Sequence, residues 1–127
     1  MQVLFVEDDQ MNRRVVKDML TIVGIDMAEA CDAETGLRMI AESHYDVVLM
    51  DLRMPGMDGL AAIRSIRART DAKATTPIIV ITADTAINLR ETSLECGANQ
   101  VLQKPVSMNA LFDALGEVID SSDHIIL

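Results

Sequence analysis

Apolar residues fall into five short runs along this chain, and after each run they recur at helical spacing. Residues 3–6 (Val-Leu-Phe-Val) read as a strand, and Met11, Val15, Met19 and Ile22 follow at i, i+4, i+8 and i+11, a helical stripe that Gly24 terminates. Residues 25–30 predict a second strand. Asp32 is placed to N-cap a helix burying Ala33, Leu37, Ile40 and Ala41. Residues 47–50 predict the third strand, and Asp58 caps a helix burying Leu60, Ile63 and Ile66. Pro77 opens the fourth strand, 78–81, the most β-branched run of the chain. A weaker helix is predicted over 85–96, where Ile87, Leu89 and Leu94 make no clean stripe and Gly97 ends the element. Residues 101–102 give a short fifth strand. Ser107 then caps a helix with Met108, Leu111, Phe112, Leu115 and Ile119 on one face.

Strands that lack alternation and are each followed by a helix predict a parallel sheet covered on both faces. With right-handed crossovers the expected architecture is α/β, a doubly wound (βα)5 sheet of order 2-1-3-4-5, flavodoxin-like. No linker, repeat or low-complexity stretch divides residues 1–127, so a single domain is expected.

Composition narrows the function. Half of the 127 residues are hydrophobic, enough for one core, and the net charge of −9 disfavours a nucleic-acid surface. With two aromatic phenylalanines, one tyrosine and no tryptophan, no base-stacking platform is visible. No run approaches the ~18 apolar residues of a membrane span, and the start lacks a basic signal-peptide region. Cys31 and Cys96 stand far apart without metal-ligand spacing and read as free thiols, which fits a cytoplasmic protein. The nine methionines read as core packing, and Arg64, Arg67 and Arg69 as a solvated helix face. His44 and His124 lie in no recognisable phosphohistidine motif.

The chemistry sits at the strand ends. Asp51 closes the third strand and is followed by a Pro/Gly turn; Glu7-Asp8-Asp9 close the first; Thr82 follows the fourth; Lys104-Pro105 follow the fifth. Open α/β sheets bind ligands at this edge, and order 2-1-3-4-5 would set Glu7 and Asp8 beside Asp51. Clustered carboxylates call for a cation, and hard oxygens without His or Cys favour Mg²⁺ over zinc. An ionised aspartate can accept a phosphoryl group while metal and lysine neutralise the transferring oxygens. Singly, each residue has a plainer role: Asp51 as a turn cap, the acids as charge at a helix N-terminus with Asp9 as N-cap, Lys104 as a surface lysine, Thr82 as a β-branched strand residue, Pro105 as a loop proline. Their joint placement favours one phosphoryl-accepting site.

From Val3 to about Ile119 the chain resembles the receiver domains of two-component response regulators, the CheY-like fold. The resemblance rests on the runs 3–9 (VLFVEDD), 46–59 (DVVLMDLRMPGMDG), 77–83 (PIIVITA) and Gly97-Ala98 leading to Lys104-Pro105. It implies that Asp51 is phosphorylated by a partner histidine. It further implies that Glu7 and Asp8 are the acidic pair, and that Asp8, Asp51 and the Arg53 carbonyl coordinate Mg²⁺. Thr82 would be the switch hydroxyl, Lys104 the phosphoryl contact, and Pro105 would follow a cis bond. The implied output is a change on the helix 4–strand 5–helix 5 face. Such a domain catalyses only its own phosphorylation and dephosphorylation and is no enzyme in the turnover sense.

Val101 stands where the family usually has Tyr or Phe, a departure in the aromatic half of receiver switching. Arg53 and Asp84 occupy positions that commonly tune phosphoryl lifetime. The motifs 12–14 (NRR) and 49–51 (LMD) resemble receivers of hybrid histidine kinases, so the expected partner is a histidine kinase or a histidine phosphotransfer protein. The chain is then a stand-alone regulator or a receiver cut from a longer protein, monomeric or weakly dimeric; the apolar end Ile125-Ile126-Leu127 reads as a packing segment, an association segment or a truncation scar. Two other readings stay open: a small haloacid-dehalogenase-like phosphatase, which wants a second Asp where Arg53 stands, and an interaction module independent of phosphorylation.

Overall fold

The computed structural model describes residues 1–124, with side chains to Ile119; the His124 side chain and the segment 125–127 lie outside the described residues. Strands β1 (Gln2–Val6), β2 (Asp26–Ala30), β3 (Val47–Met50), β4 (Ile78–Thr82) and β5 (Gln100–Gln103) alternate with helices α1 (Gln10–Ile22), α2 (Ala33–Glu42), α3 (Gly59–Arg67), α4 (Leu89–Cys96) and α5 (Met108–His124). All pairings are parallel and the order is β2-β1-β3-β4-β5, the predicted doubly wound sheet. Among the described residues, no helix is long and apolar enough to cross a membrane.

Each strand splits its side chains between two cores, as the pleat requires. Leu4, Val6, Val48, Met50 and Val80 pack under α2 and α3 with Ile40, Ile63 and Ile66. Val3, Phe5, Leu49, Ile79 and Ile81 pack under α1 and α5 with Val16, Leu20, Leu111 and Leu115. Asp9, Asp32 and Asp58 cap α1, α2 and α3 through their side chains, and Ser107 accepts from the Ala110 amide at the start of α5.

Three expectations are corrected. The α1 stripe has the wrong phase: Val16 and Leu20 are buried, whereas Met11 and Ile22 are about 70% exposed and Val15 nearly half. The inner face of α1 starts with polar Asn12 and Arg13, both half-buried, so apolarity alone could not locate it. Helix α4 begins at Leu89, not 85, because no side chain caps its N-terminus and Ile87 lies in solvent. Arg67 is not a solvated residue. Its guanidinium donates to the carbonyls of Ala74, Thr76 and Gly97 at 2.7–2.9 Å and to Asn99 Oδ1 at 3.0 Å. It thereby ties α3 to the approach of β4 and to the C-terminus of α4.

Candidate phosphoacceptor site

Strand register assembles the site. Val6 pairs with Met50, so Glu7 and Asp51 leave β1 and β3 side by side, and the Asp51 amide donates to the Val6 carbonyl at 3.0 Å. Thr82 pairs with Gln103, which sets Lys104 one residue beyond the β5 end. Glu7, Asp51 and Lys104 continue the parity of Phe5, Leu49 and Leu102, the residues facing α1 and α5. All three side chains therefore turn to the same side and meet. Lys104 Nζ donates to Glu7 Oε1 at 2.5 Å and lies 3.5 Å from Asp51 Oδ2.

Glu7 and Asp51 are buried, while Asp8 is exposed at the rim. One carboxylate oxygen from each of Glu7, Asp8 and Asp51 falls within 4.8 Å of the others, close enough to share one cation. Burial, and then the neighbouring Asp51, push the Glu7 carboxyl above its ordinary value. Burial alone would lower the Lys104 ammonium, but its bond to Glu7 and the charge of Asp51 outweigh that and raise it. Glu7 Oε2 is buried without a hydrogen-bond partner. A bare, buried oxygen in an oxygen-only cluster fits a hard divalent cation such as Mg²⁺.

The remaining residues frame this pair. Gly59 at the start of α3 approaches the strand end so closely that a Cβ would lie 2.4 Å from the Asp51 carbonyl oxygen, so only glycine fits. Thr82 is fully buried as the last residue of β4, and its Oγ1 accepts from the Asp84 amide at 3.0 Å. The Lys104–Pro105 bond is cis, as expected. Val101 is half-buried and packs on the α2/α3-side core, to which Leu89 and Cys96 of α4 also contribute. Sequence reasoning missed the polar support of Glu7: Asn12 Nδ2 donates to Glu7 Oε1 at 2.9 Å, and Arg13 Nη1 to the Glu7 carbonyl at 2.6 Å. The available signal was the Asp9 cap, which fixes residues 12 and 13 in the first turn of α1.

Arg53 and Asp84 close one side of the mouth. Arg53 Nε and Nη2 both reach Asp84 Oδ2, at 2.9 and 2.5 Å, and Gln103 Nε2 donates to the Asp84 carbonyl at 3.1 Å. The Arg53 guanidinium, with the Ala86 amide, holds the Asp84 carboxyl below its ordinary 3.8. A lowered folded value means the latch is intact above the ordinary carboxylate range and is lost as pH falls through the lowered value. Arg53→Ala is therefore expected to speed amide exchange at residues 84–86 a few-fold at neutral pH. In strong acid the variant and the wild type should exchange alike. Equal rates at neutral pH would show that the turn does not depend on the latch.

The profile of the response regulator receiver domain matches residues 3–116 of the chain. Sensor protein EvgS of Escherichia coli K12 is 33% identical over 118 residues, and the sensor histidine kinase RcsC of the same strain is 33% identical over 115. These matches cover 93% and 91% of this chain but only 10% and 12% of those proteins, so the chain spans about a tenth of their length. Among solved structures, the receiver domain of sensor histidine kinase PA1611 from Pseudomonas aeruginosa PAO1 is 34% identical with a TM-score of 0.83. The match covers 91% of this chain and 94% of that one, and that structure holds a magnesium ion in its active-site cleft. The chemotaxis protein CheY4 of Vibrio cholerae superposes with a TM-score of 0.83 at 27% identity, over 92% of this chain and 97% of that one. With its fold, its strand-end acids and nearly its whole length matched, the chain belongs to the response regulator receiver domains of two-component systems.

Proposed function

We propose that this receiver is the phosphoacceptor of a phosphorelay, with Asp51 taking a phosphoryl group from the phosphohistidine of a histidine kinase or a histidine phosphotransfer protein. The observation that carries this reading is the buried Asp51 carboxylate 3.5 Å from Lys104 and within a three-carboxylate cluster. An Asp51 oxygen attacks phosphorus in line with the P–N bond. A P–O bond forms, the P–N bond breaks, and its electron pair stays on the departing imidazole, which takes up a proton. Glu7, Asp8, Asp51 and the Arg53 carbonyl would hold Mg²⁺, which supplies charge neutralisation of the phosphoryl oxygens. Lys104 exchanges its Glu7 contact for a phosphoryl oxygen, and Thr82 turns its hydroxyl inward from the Asp84 amide.

That rotation perturbs the β4–α4 turn, and α4 is poorly settled to resist it. Its only buried residue is Ser93, whose hydroxyl is buried without a partner, a cost of about 1–3 kcal/mol. The α4–β5–α5 face therefore carries the population shift. The domain turns over no separate metabolite, and its setting is cytoplasmic, with residues 1–127 acting as one receiver unit. The similarity to EvgS and RcsC supports a receiver of the hybrid-kinase type.

The donor's approach is suggested by α1. Asn12 and Lys104 of the site also line a groove with Val15, Pro105 and Val106, and Val15 is nearly half exposed there. A phosphohistidine reaching Asp51 from the mouth brings its own helix over this surface. Val15→Asp is expected to lower transfer from the protein donor, relative to acetyl phosphate, by about tenfold, the effect of losing one apolar anchor. An unchanged ratio would place the donor elsewhere.

The function itself is tested by intact mass after incubation with acetyl phosphate, with Mg²⁺ or EDTA. One added phosphoryl group in Mg²⁺ alone, mapped to Asp51, is the expected result. No adduct, together with no response to beryllofluoride, would favour an interaction module independent of phosphorylation.

A further inference from the structure

The hydrogen bonds around Glu7 are unequal. Oε1 takes two donors, Lys104 Nζ at 2.5 Å and Asn12 Nδ2 at 2.9 Å, whereas Oε2 takes none although it is buried. The Asn12 amide can face the carboxylate only through its NH₂ group, because its oxygen would repel Glu7. Asn12 is itself fixed: its backbone amide donates to the Asp9 cap at 3.3 Å, and its neighbour Arg13 is held by Glu29 at 3.1 Å. From its position in the first turn of α1 it reaches back to the end of β1 and grips one oxygen of the acidic pair.

From this geometry we propose that Asn12 is a positioning residue for the divalent-cation site, a neutral clamp that sets the plane of the Glu7 carboxylate so that Oε2 alone stays free for the cation or its water. The inference rests on the phosphoacceptor reading and deepens it. A neutral donor suits the task better than a cation: it fixes orientation while leaving the full negative charge of Glu7 available to metal. Lys104 cannot hold this plane throughout the cycle, because it must leave Oε1 to meet the phosphoryl group. Asn12 is then the one side-chain donor, among those the structure shows, that remains on Glu7.

The test compares wild type with Asn12→Leu, an apolar near-isostere, and with Asn12→Ala, which removes the amide without adding bulk. Mg²⁺ affinity is read by calorimetry and by competition against Mn²⁺ followed by its spin resonance, with the metal-free thermal midpoint recorded alongside. Both variants are expected to bind Mg²⁺ about tenfold more weakly, the lower end of what loss of a ligand-orienting partner brings. The rate of phosphorylation from acetyl phosphate should be largely restored at saturating Mg²⁺. A residue that merely stabilised α1 would lower the thermal midpoint and leave the Mg²⁺ affinity alone. Affinity within twofold of wild type in both variants overturns the clamp while leaving the acceptor reading intact. A wild type that binds no Mg²⁺ overturns the reading of the site and the clamp with it.

Discussion

Asp51→Asn is expected to abolish phosphoryl uptake and to raise the thermal stability of the metal-free protein at neutral pH. The loss follows from chemistry, since a carboxamide has no ionised oxygen to attack phosphorus. The gain follows from charge. Glu7, Asp8 and Asp51 lie together, and among the described residues the cation ion-paired with Glu7 and Asp51 is Lys104, so Asp51 faces two like charges and one close opposite one. Unit charges ~4 Å apart interact by about 4 kcal/mol at an effective dielectric of 20, and solvent at the exposed Asp8 reduces the net repulsion to the order of 1 kcal/mol. For a domain of this size that is a rise of about 4 °C in Tm.

The pH dependence has the matching sign. The Glu7 carboxyl is raised above 4.5 by burial and by Asp51. A raised folded value contributes stability that is fully present below 4.5 and lost as pH rises through the folded value. Acidification from neutrality should therefore stabilise the metal-free wild type at first, and Asp51→Asn should show less of that gain. Added Mg²⁺ should stabilise the wild type more than the variant, because the cation binds the folded cluster alone. Melting curves in EDTA and in Mg²⁺ decide the matter. A variant that melts below the wild type in EDTA would mean that Asp51 is held by favourable contacts rather than strained by its neighbours.

The same residues explain why the site was so legible in the sequence. A buried parallel strand needs a continuous apolar run, so the first charged residue marks where the strand emerges; Glu7, Asp51 and Lys104 each announce their own position. Strand order then brings them together with no long loop intervening. Helix phase was harder to read. The inner face of α1 opens with Asn12 and Arg13 because it must support Glu7, and Met11, Val15 and Ile22 lie outside, giving a stripe that reads as core. Hydrophobic periodicity identifies the buried face only where burial is the sole demand on a helix. The short 3-10 turn Ala72–Thr75 left no apolar signal either, since none of its residues is buried.

Arg67 is the case in which a plain reading of composition failed most, and it carries the second large effect. A basic residue in the last turn of α3 suits the helix dipole and looks solvated. Yet its fork is filled by three carbonyls and the Asn99 side chain. Asn99 Oδ1 in turn accepts from the Ile78 amide at 2.8 Å, so the network reaches the first residue of β4. Gly97 belongs to the same design: it ends α4 at φ +118°, and a Cβ there would lie 2.5 Å from Arg67 Cγ. Arg67→Met keeps the length of the stem and removes every donor, leaving partly buried carbonyls unpaired at about 1–3 kcal/mol apiece where water cannot replace the guanidinium. A loss of about 3 kcal/mol, near 10 °C in Tm, is expected, with faster amide exchange concentrated at the C-terminal end of α4. Arg67→Lys should recover only part of this, because one ammonium cannot reproduce a planar fork that spans three segments. A methionine variant within about 0.5 kcal/mol of wild type, the range of ordinary surface substitutions, would return Arg67 to the solvent-facing role its sequence suggests. The expected loss instead makes the C-terminus of α4 its fixed end. In the proposed switch, motion transmitted from Thr82 would pivot the uncapped N-terminal end about that anchor.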